Sequence, residues 1–135
     1  MQFDRQLIAS GAPMEEKVGY SRAVRVGPFV YVGGTTSTGP DGEGACPGDA
    51  YGQTKNVLEK IGQALAAAGA TFPEVVRVRI YITDITKAGD CMRAYSEVFK
   101  AIKPIATMCE IKGLFRPEQI VEIEVDAVIG SVASS

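Results

Sequence analysis

Apolar positions along the chain follow two rhythms, a spacing of two and a spacing of three to four, and the switches between them outline the elements. Residues 21–26 and 29–33 read as strand-like runs on either side of Gly27-Pro28, a pair suited to a tight turn, which predicts a hairpin. From 33 to 44 the chain is too rich in glycine and hydroxyls for regular structure and reads as a loop. Asp49 is placed to cap a helix at its N-terminus; Val57, Leu58, Ile61, Leu65 and Ala68 then recur at helical spacing until Gly69 supplies a stop.

Val76, Val78, Ile80 and Ile82 alternate with Arg77, Arg79 and Tyr81, predicting a strand with one apolar and one polar face. A second helix is expected from about Asp90, carrying Cys91, Tyr95, Val98, Phe99 and Ile102 on one side and ending before Pro104. Residues 105–112 read as a strand. In the last run, 120–129, Val121, Ile123, Val125, Ala127 and Ile129 oppose Glu122, Glu124 and Asp126. Three carboxylates in a row cannot line a dry core unpaired.

Together these predict one α+β domain over residues 1–135, a mixed β-sheet with two helices packed on one face. The other face would carry Arg77, Arg79, Glu122 and Glu124, too mixed for a core and too apolar elsewhere for free solvent. Such a face suits a subunit interface.

Composition narrows the chemistry. With 46% apolar and 22% charged residues the chain is that of an ordinary globular protein. Disorder is expected at most in the small-residue tail, 132–135. No apolar run is long enough to cross a bilayer and the N-terminus reads as no signal peptide, so no membrane partner is expected and the cytoplasm is the expected location. Cys46, Cys91 and Cys109 are odd in number and widely spaced, which suggests free thiols rather than disulfides or a metal site. Histidine is absent, removing the usual general base of hydrolases and nucleases and most transition-metal sites. A net charge of −2 provides no basic field for phosphate backbones and argues against nucleic acid as a partner.

Several residues carry candidate chemistry. The loop at 33–44 lacks the Gly-Lys-Ser/Thr ending of a phosphate cradle. Thr107 and Cys109, two apart on a strand, share a face and could line a pocket, although a lone cysteine is more often inert core. Glu122 could orient water if a cleft desolvates it, since burial raises a carboxyl pKa; the alternative is a cross-strand ion pair with Arg77 or Arg79. Tyr20, before the hairpin, is either a cleft residue or packing with its hydroxyl in water.

Several segments resemble the RidA family, also called YjgF or L-PSP endoribonuclease-like. They are the opening Tyr20-Ser21-Arg22-Ala23-Val24-Arg25-Val26-Gly27, the first-helix Gln53-Thr54 with Asn56-Val57-Leu58, the strand end Tyr81-Ile82-Thr83-Asp84-Ile85 and the closing residues 120–127. The resemblance covers roughly residues 18 to 130 and implies a chorismate-mutase-like fold, a homotrimer, and small-molecule ligands in clefts between subunits, with no cofactor and no metal. It implies catalytic positions at Glu122 and at Cys109, the cysteine contributing mainly its backbone, and a substrate-contacting tyrosine at Tyr20, with Gly33, Thr35 and the rest of residues 33–36 close to the ligand. The arginine that grips a substrate carboxylate in the deaminases of the family is replaced by Thr107. An asparagine of the second helix is replaced by Met92, and a serine of the strand by Gly33.

A charge-assisted, bidentate contact is worth on the order of 1.5–3 kcal/mol, so the loss at Thr107 disfavours 2-imino acids. Arg22, Arg93 and Arg116 are candidates to replace that cation. Two functions remain open: a cofactor-free deaminase or hydrolase acting on an imine, enamine or related reactive metabolite, and a non-catalytic protein that binds a small metabolite in the same cleft. Ribonuclease activity has little support from these residues.

Overall fold

The structure, a computed structural model, describes residues 2–39 and 44–133. Six strands form one sheet: β1 (Arg5–Ile8), β2 (Ala23–Val26), β3 (Phe29–Thr36), β4 (Val75–Ile82), β5 (Ile105–Glu110) and β6 (Val121–Val128). Their spatial order is β1-β2-β3-β6-β4-β5, antiparallel throughout except for the parallel pair β4 and β5. Helices α1 (Ala50–Ala67) and α2 (Ala88–Phe99) lie against one face. A parallel pair needs a crossover, and α2 supplies it.

The core lies between sheet and helices. Val78, Ile80, Ile82, Val121, Ile123 and Val125 from the two central strands meet Val57, Leu58, Ile61 and Leu65 of α1. Asp49 caps α1 by accepting from the Gly52 amide at 2.9 Å, as its spacing predicts. Gly69 closes the helix at φ +86°, a conformation costly for residues with a Cβ.

Four expectations need correction. The hairpin is preceded by β1, whose register pairs Leu7 with Val24 and Ile8 with Ala23. Residues 33–36 extend β3 instead of opening a loop; a bulge between Val32 and Thr35 absorbs the glycine pair. Residues 40–43 of that expected loop lie outside the described residues, as does the end of the tail, 134–135. A second bulge between Val75 and Arg77 reverses the expected facing, so Val75 is buried while Val76 is 41% exposed. Finally, α2 starts at Ala88, two residues early, and β5 ends at Glu110.

Candidate functional site

On the face away from the helices, register aligns side chains in rows. One row crosses all six strands as Leu7, Val24, Tyr31, Asp126, Arg77 and Ile105. The next holds Glu124, Arg79 and Thr107, and the third Thr36, Glu122, Tyr81 and Cys109. Leu7 is 64% and Ile105 58% exposed, and Tyr31 is also exposed. The face therefore interleaves apolar side chains with charge, as its alternation predicts.

Register also settles the partners of the carboxylates. Arg77 Nε lies 3.7 Å from Asp126, and Arg79 Nη1 lies 3.4 Å from Glu124 and 3.6 Å from Asp126. Glu122 takes neither arginine; it sits opposite Tyr81. Its carboxylate leans the other way, toward β3, against the bare Cα of Gly34, where a Cβ would come within 2.8 Å of Oε1. Burial pushes the Glu122 carboxyl above its ordinary range, Glu124 adds to this by repulsion, and the nearby Arg22 charge opposes both. A glutamate so raised is a stronger base than a solvated one.

The surroundings of Glu122 are built from several elements. Arg22 Nη1 donates to the Gly34 carbonyl at 2.6 Å and to the hydroxyl of buried Thr35 at 3.1 Å, and Thr35 Oγ1 donates in turn to the Gly33 carbonyl. Lys60 of α1 donates to the Thr36 carbonyl at 2.7 Å; burial, then the Arg22 charge, lower its pKa. Buried Gln53 donates to the Glu118 carbonyl and accepts from the Ile120 amide, both at 2.8 Å, which fixes the start of β6 two residues before Glu122. Tyr81 donates to Glu124 at 2.9 Å. That bond, with burial, raises its pKa, so the phenol stays a donor at neutral pH.

The sequence-derived candidates fall into two groups. Glu122, Thr35, Gly33 and the adjoining Gly34 gather at the β3 bulge. Tyr20 closes a π-helical turn, Glu15–Gly19, and is exposed. Thr107 and Cys109 share the polar face of the edge strand β5; Cys109 is exposed, not core. Within one chain Cys109 is separated from Glu122 by Tyr81, two strand spacings or roughly 10 Å. Met92 packs against the hydrophobic core from α2, on the opposite side of the sheet.

Of the candidate replacement cations, Arg22 is engaged at the bulge, Arg93 lies 3.9 Å over the Tyr51 ring among the helices, and Arg116 lies 3.8 Å from Glu118. Arg79 is the register neighbour of Thr107, but two carboxylates hold it. Sequence reasoning placed Gly34 near the site only as part of residues 33–36, and missed Lys60 and Tyr81. Alternation with Arg77 and Arg79 placed Tyr81 on this face without revealing its position between Glu122 and Cys109. Among the described residues no cluster of three or more His, Cys, Asp or Glu is arranged to hold a metal, and no helix is long and apolar enough to cross a membrane.

Residues 11–129 match the sequence profile of the family described as Endoribonuclease L-PSP. The chain is similar to an uncharacterized protein of Streptomyces coelicolor, 34% identical over 130 residues that cover 94% of each. It is also similar to a RutC family protein of Pyrococcus abyssi, 35% identical over 109 residues covering 81% of this chain and 84% of the relative. Among solved structures, a member of the YjgF/YER057c/UK114 family from Mycobacterium tuberculosis superposes with a TM-score of 0.84 at 42% identity, covering 93% of this chain and all of the other. A protein of unknown function of the Rid family from Yersinia pestis superposes at 0.83 with 30% identity and the same coverage.

Proposed function

The chain belongs to the Endoribonuclease L-PSP family and has the mixed-sheet, two-helix fold of YjgF/Rid structures, and on that premise we propose that it hydrolyses the C=N bond of a small imine or of the imine tautomer of an enamine. The observation that carries this reading is Glu122, half-buried, raised in pKa, bonded to neither sheet arginine, and lodged against Gly34. Glu122 takes a proton from water as the water oxygen bonds to the imine carbon, and the C=N π pair becomes an N–H bond. Glu122 hands the first proton to that nitrogen; the tetrahedral adduct then loses its C–N bond as its hydroxyl proton passes to the leaving nitrogen, giving a carbonyl compound and ammonia. Water supplies every atom added, so no cofactor is required.

The cleft is completed by a second copy. One chain keeps Glu122 and Cys109 roughly 10 Å apart and leaves an apolar and charged sheet face uncovered. A homotrimer of single-domain chains in the cytoplasm covers that face and brings Thr107 and Cys109 of one subunit to the bulge of the next. Thr107 offers a hydroxyl and a methyl where a guanidinium would grip a carboxylate, and Arg79 beside it is held by Glu124 and Asp126. The preferred substrate is therefore an imine without a carboxylate, and 2-imino acids are poor substrates. With no histidine and a net charge of −2, ribonuclease chemistry has little support.

The test is ammonia release above the spontaneous rate. Unsubstituted imines with and without a carboxylate are compared on the wild-type protein and on Glu122→Gln. Acceleration confined to carboxylate-free imines and lost in Glu122→Gln is expected. No acceleration of any imine would sink the reading. The loss of the anchoring cation at Thr107 favours a second function, metabolite binding without turnover; saturable heat of binding with no ammonia would identify it.

A further inference from the structure

A continuous chain of contacts runs from Tyr20 to Glu122 through one side chain. The Tyr20 amide donates to the Glu15 carbonyl at 2.9 Å, closing the π-helical turn. The Glu15 carboxylate is buried, accepts from the Ser10 amide at 3.0 Å and from the Ser10 hydroxyl, and lies 3.7 Å from Arg22 Nη2. On its other side the same guanidinium grips the Gly34 carbonyl and the Thr35 hydroxyl, and Gly34 is the residue against which Glu122 rests. The Arg22 backbone is itself fixed, its amide donating to the Ile8 carbonyl and its carbonyl accepting from the Gly33 amide. Its Nε is buried with no acceptor among the described residues, a cost that the other contacts must outweigh.

We propose that Arg22 is the positioning residue of this site, a clamp that holds the turn delivering Tyr20 and the bulge supporting Glu122 in one fixed relation. A lysine cannot substitute, because one ammonium has no planar fork with which to reach the bulge and Glu15 together. The inference rests on the proposed function only in taking Glu122 and Tyr20 as working groups. The clamp also brings a positive charge to Glu122. Tyr81 faces that glutamate from β4, Glu124 stands next to it on β6, and Lys60 reaches the adjoining Thr36 carbonyl from α1. Of these, Glu124 raises the Glu122 pKa and Arg22 lowers it.

Carboxyl-carbon NMR of Glu122 and amide hydrogen exchange on the intact protein separate charge from clamp without any substrate. In Arg22→Met the Glu122 titration midpoint should move to higher pH, and exchange at Tyr20 and at Thr35 should both quicken about tenfold, the scale of a hydrogen bond to a charged group. Arg22→Lys should restore the midpoint but not the protection. Glu15→Gln should loosen Tyr20 alone, and it keeps the test decisive if Arg22→Met fails to fold. An unmoved midpoint in a folded Arg22→Met, or Tyr20 protection unchanged in Glu15→Gln, would overturn the proposal. Failure of imine hydrolysis in the wild-type protein would leave these readouts intact, so the two ideas fail separately.

Discussion

Gly34→Ala tests the seat of Glu122 most directly. Gly34 does not occupy the left-handed region, so alanine meets no backbone strain there. The new methyl, however, would lie 2.8 Å from Glu122 Oε1 and 2.9 Å from Cδ. Ordinary carbon contacts are about 3.5–4.0 Å, so the carboxylate must retreat by roughly 0.6–1 Å. Because it is the far end of a flexible side chain, it can do so, and the melting temperature should change little. Catalysis should suffer far more, since a displacement of about 1 Å at a reacting group costs on the order of a hundredfold. Out of the seat against Gly34 the carboxylate should lose part of the burial that raises the Glu122 pKa. Hydrolysis that needs the ionised form would then keep its activity to lower pH, moving the acid limb of the pH–rate profile downward. Ammonia release measured across pH on both proteins provides the check. A folded Gly34→Ala with full turnover and an unmoved acid limb would mean that Glu122 is not the base or does not work from this seat.

Thr107→Arg should tighten pyruvate binding about tenfold, the scale of one charge-assisted contact, as read by NMR titration; an unchanged affinity would mean that other geometry excludes carboxylates. Tyr81→Arg should give Glu122 an ion-pair partner like those of its neighbours, lower its titration midpoint and reduce any hydrolysis. Glu122→Gln should raise the melting temperature at neutral pH. A carboxyl whose pKa is raised by folding stabilises fully only below its unfolded value, about 4.3, and that stability is lost as pH rises through the folded value; the gain over wild type should therefore vanish in acid. Sedimentation at micromolar concentration should give a mass about three times 14.3 kDa, and a monomer would contradict the shared cleft.

Where the elements are marked locally, the sequence was readable. Asp49 and Gly69 bracket α1 with a cap and a left-handed stop, and strict alternation from Val121 to Val128 leaves only one facing for β6. Three of the four misreadings are non-local. Arg5–Ile8 buries only Ile8, so its apolar signal is slight, and it becomes a strand because β2 offers it an edge. At Val75-Val76 two valines compete for one inward position. Alternation cannot say which is doubled; the β6 register does. Gly33-Gly34 looks like loop by composition, yet β6 pairs on both sides of it and turns the glycines into a bulge.

The same dependence on register decides which side chain stands opposite Glu122. Alternation alone shows three acids on β6 and two arginines on β4 sharing a face, which leaves a glutamate in an ion pair and a glutamate working as a base indistinguishable. The buried pairs Ile80 with Ile123 and Val78 with Val125 fix the alignment. They set Arg77 opposite Asp126, Arg79 opposite Glu124 and Tyr81 opposite Glu122. A slip of two residues would keep every apolar side chain inside, but would set Arg79 against Glu122. Core packing thus does more than hold the sheet together. By choosing among registers that are equally hydrophobic, it leaves one carboxylate of the three without a β4 arginine opposite it, and that one lies beside the glycine that gives it room.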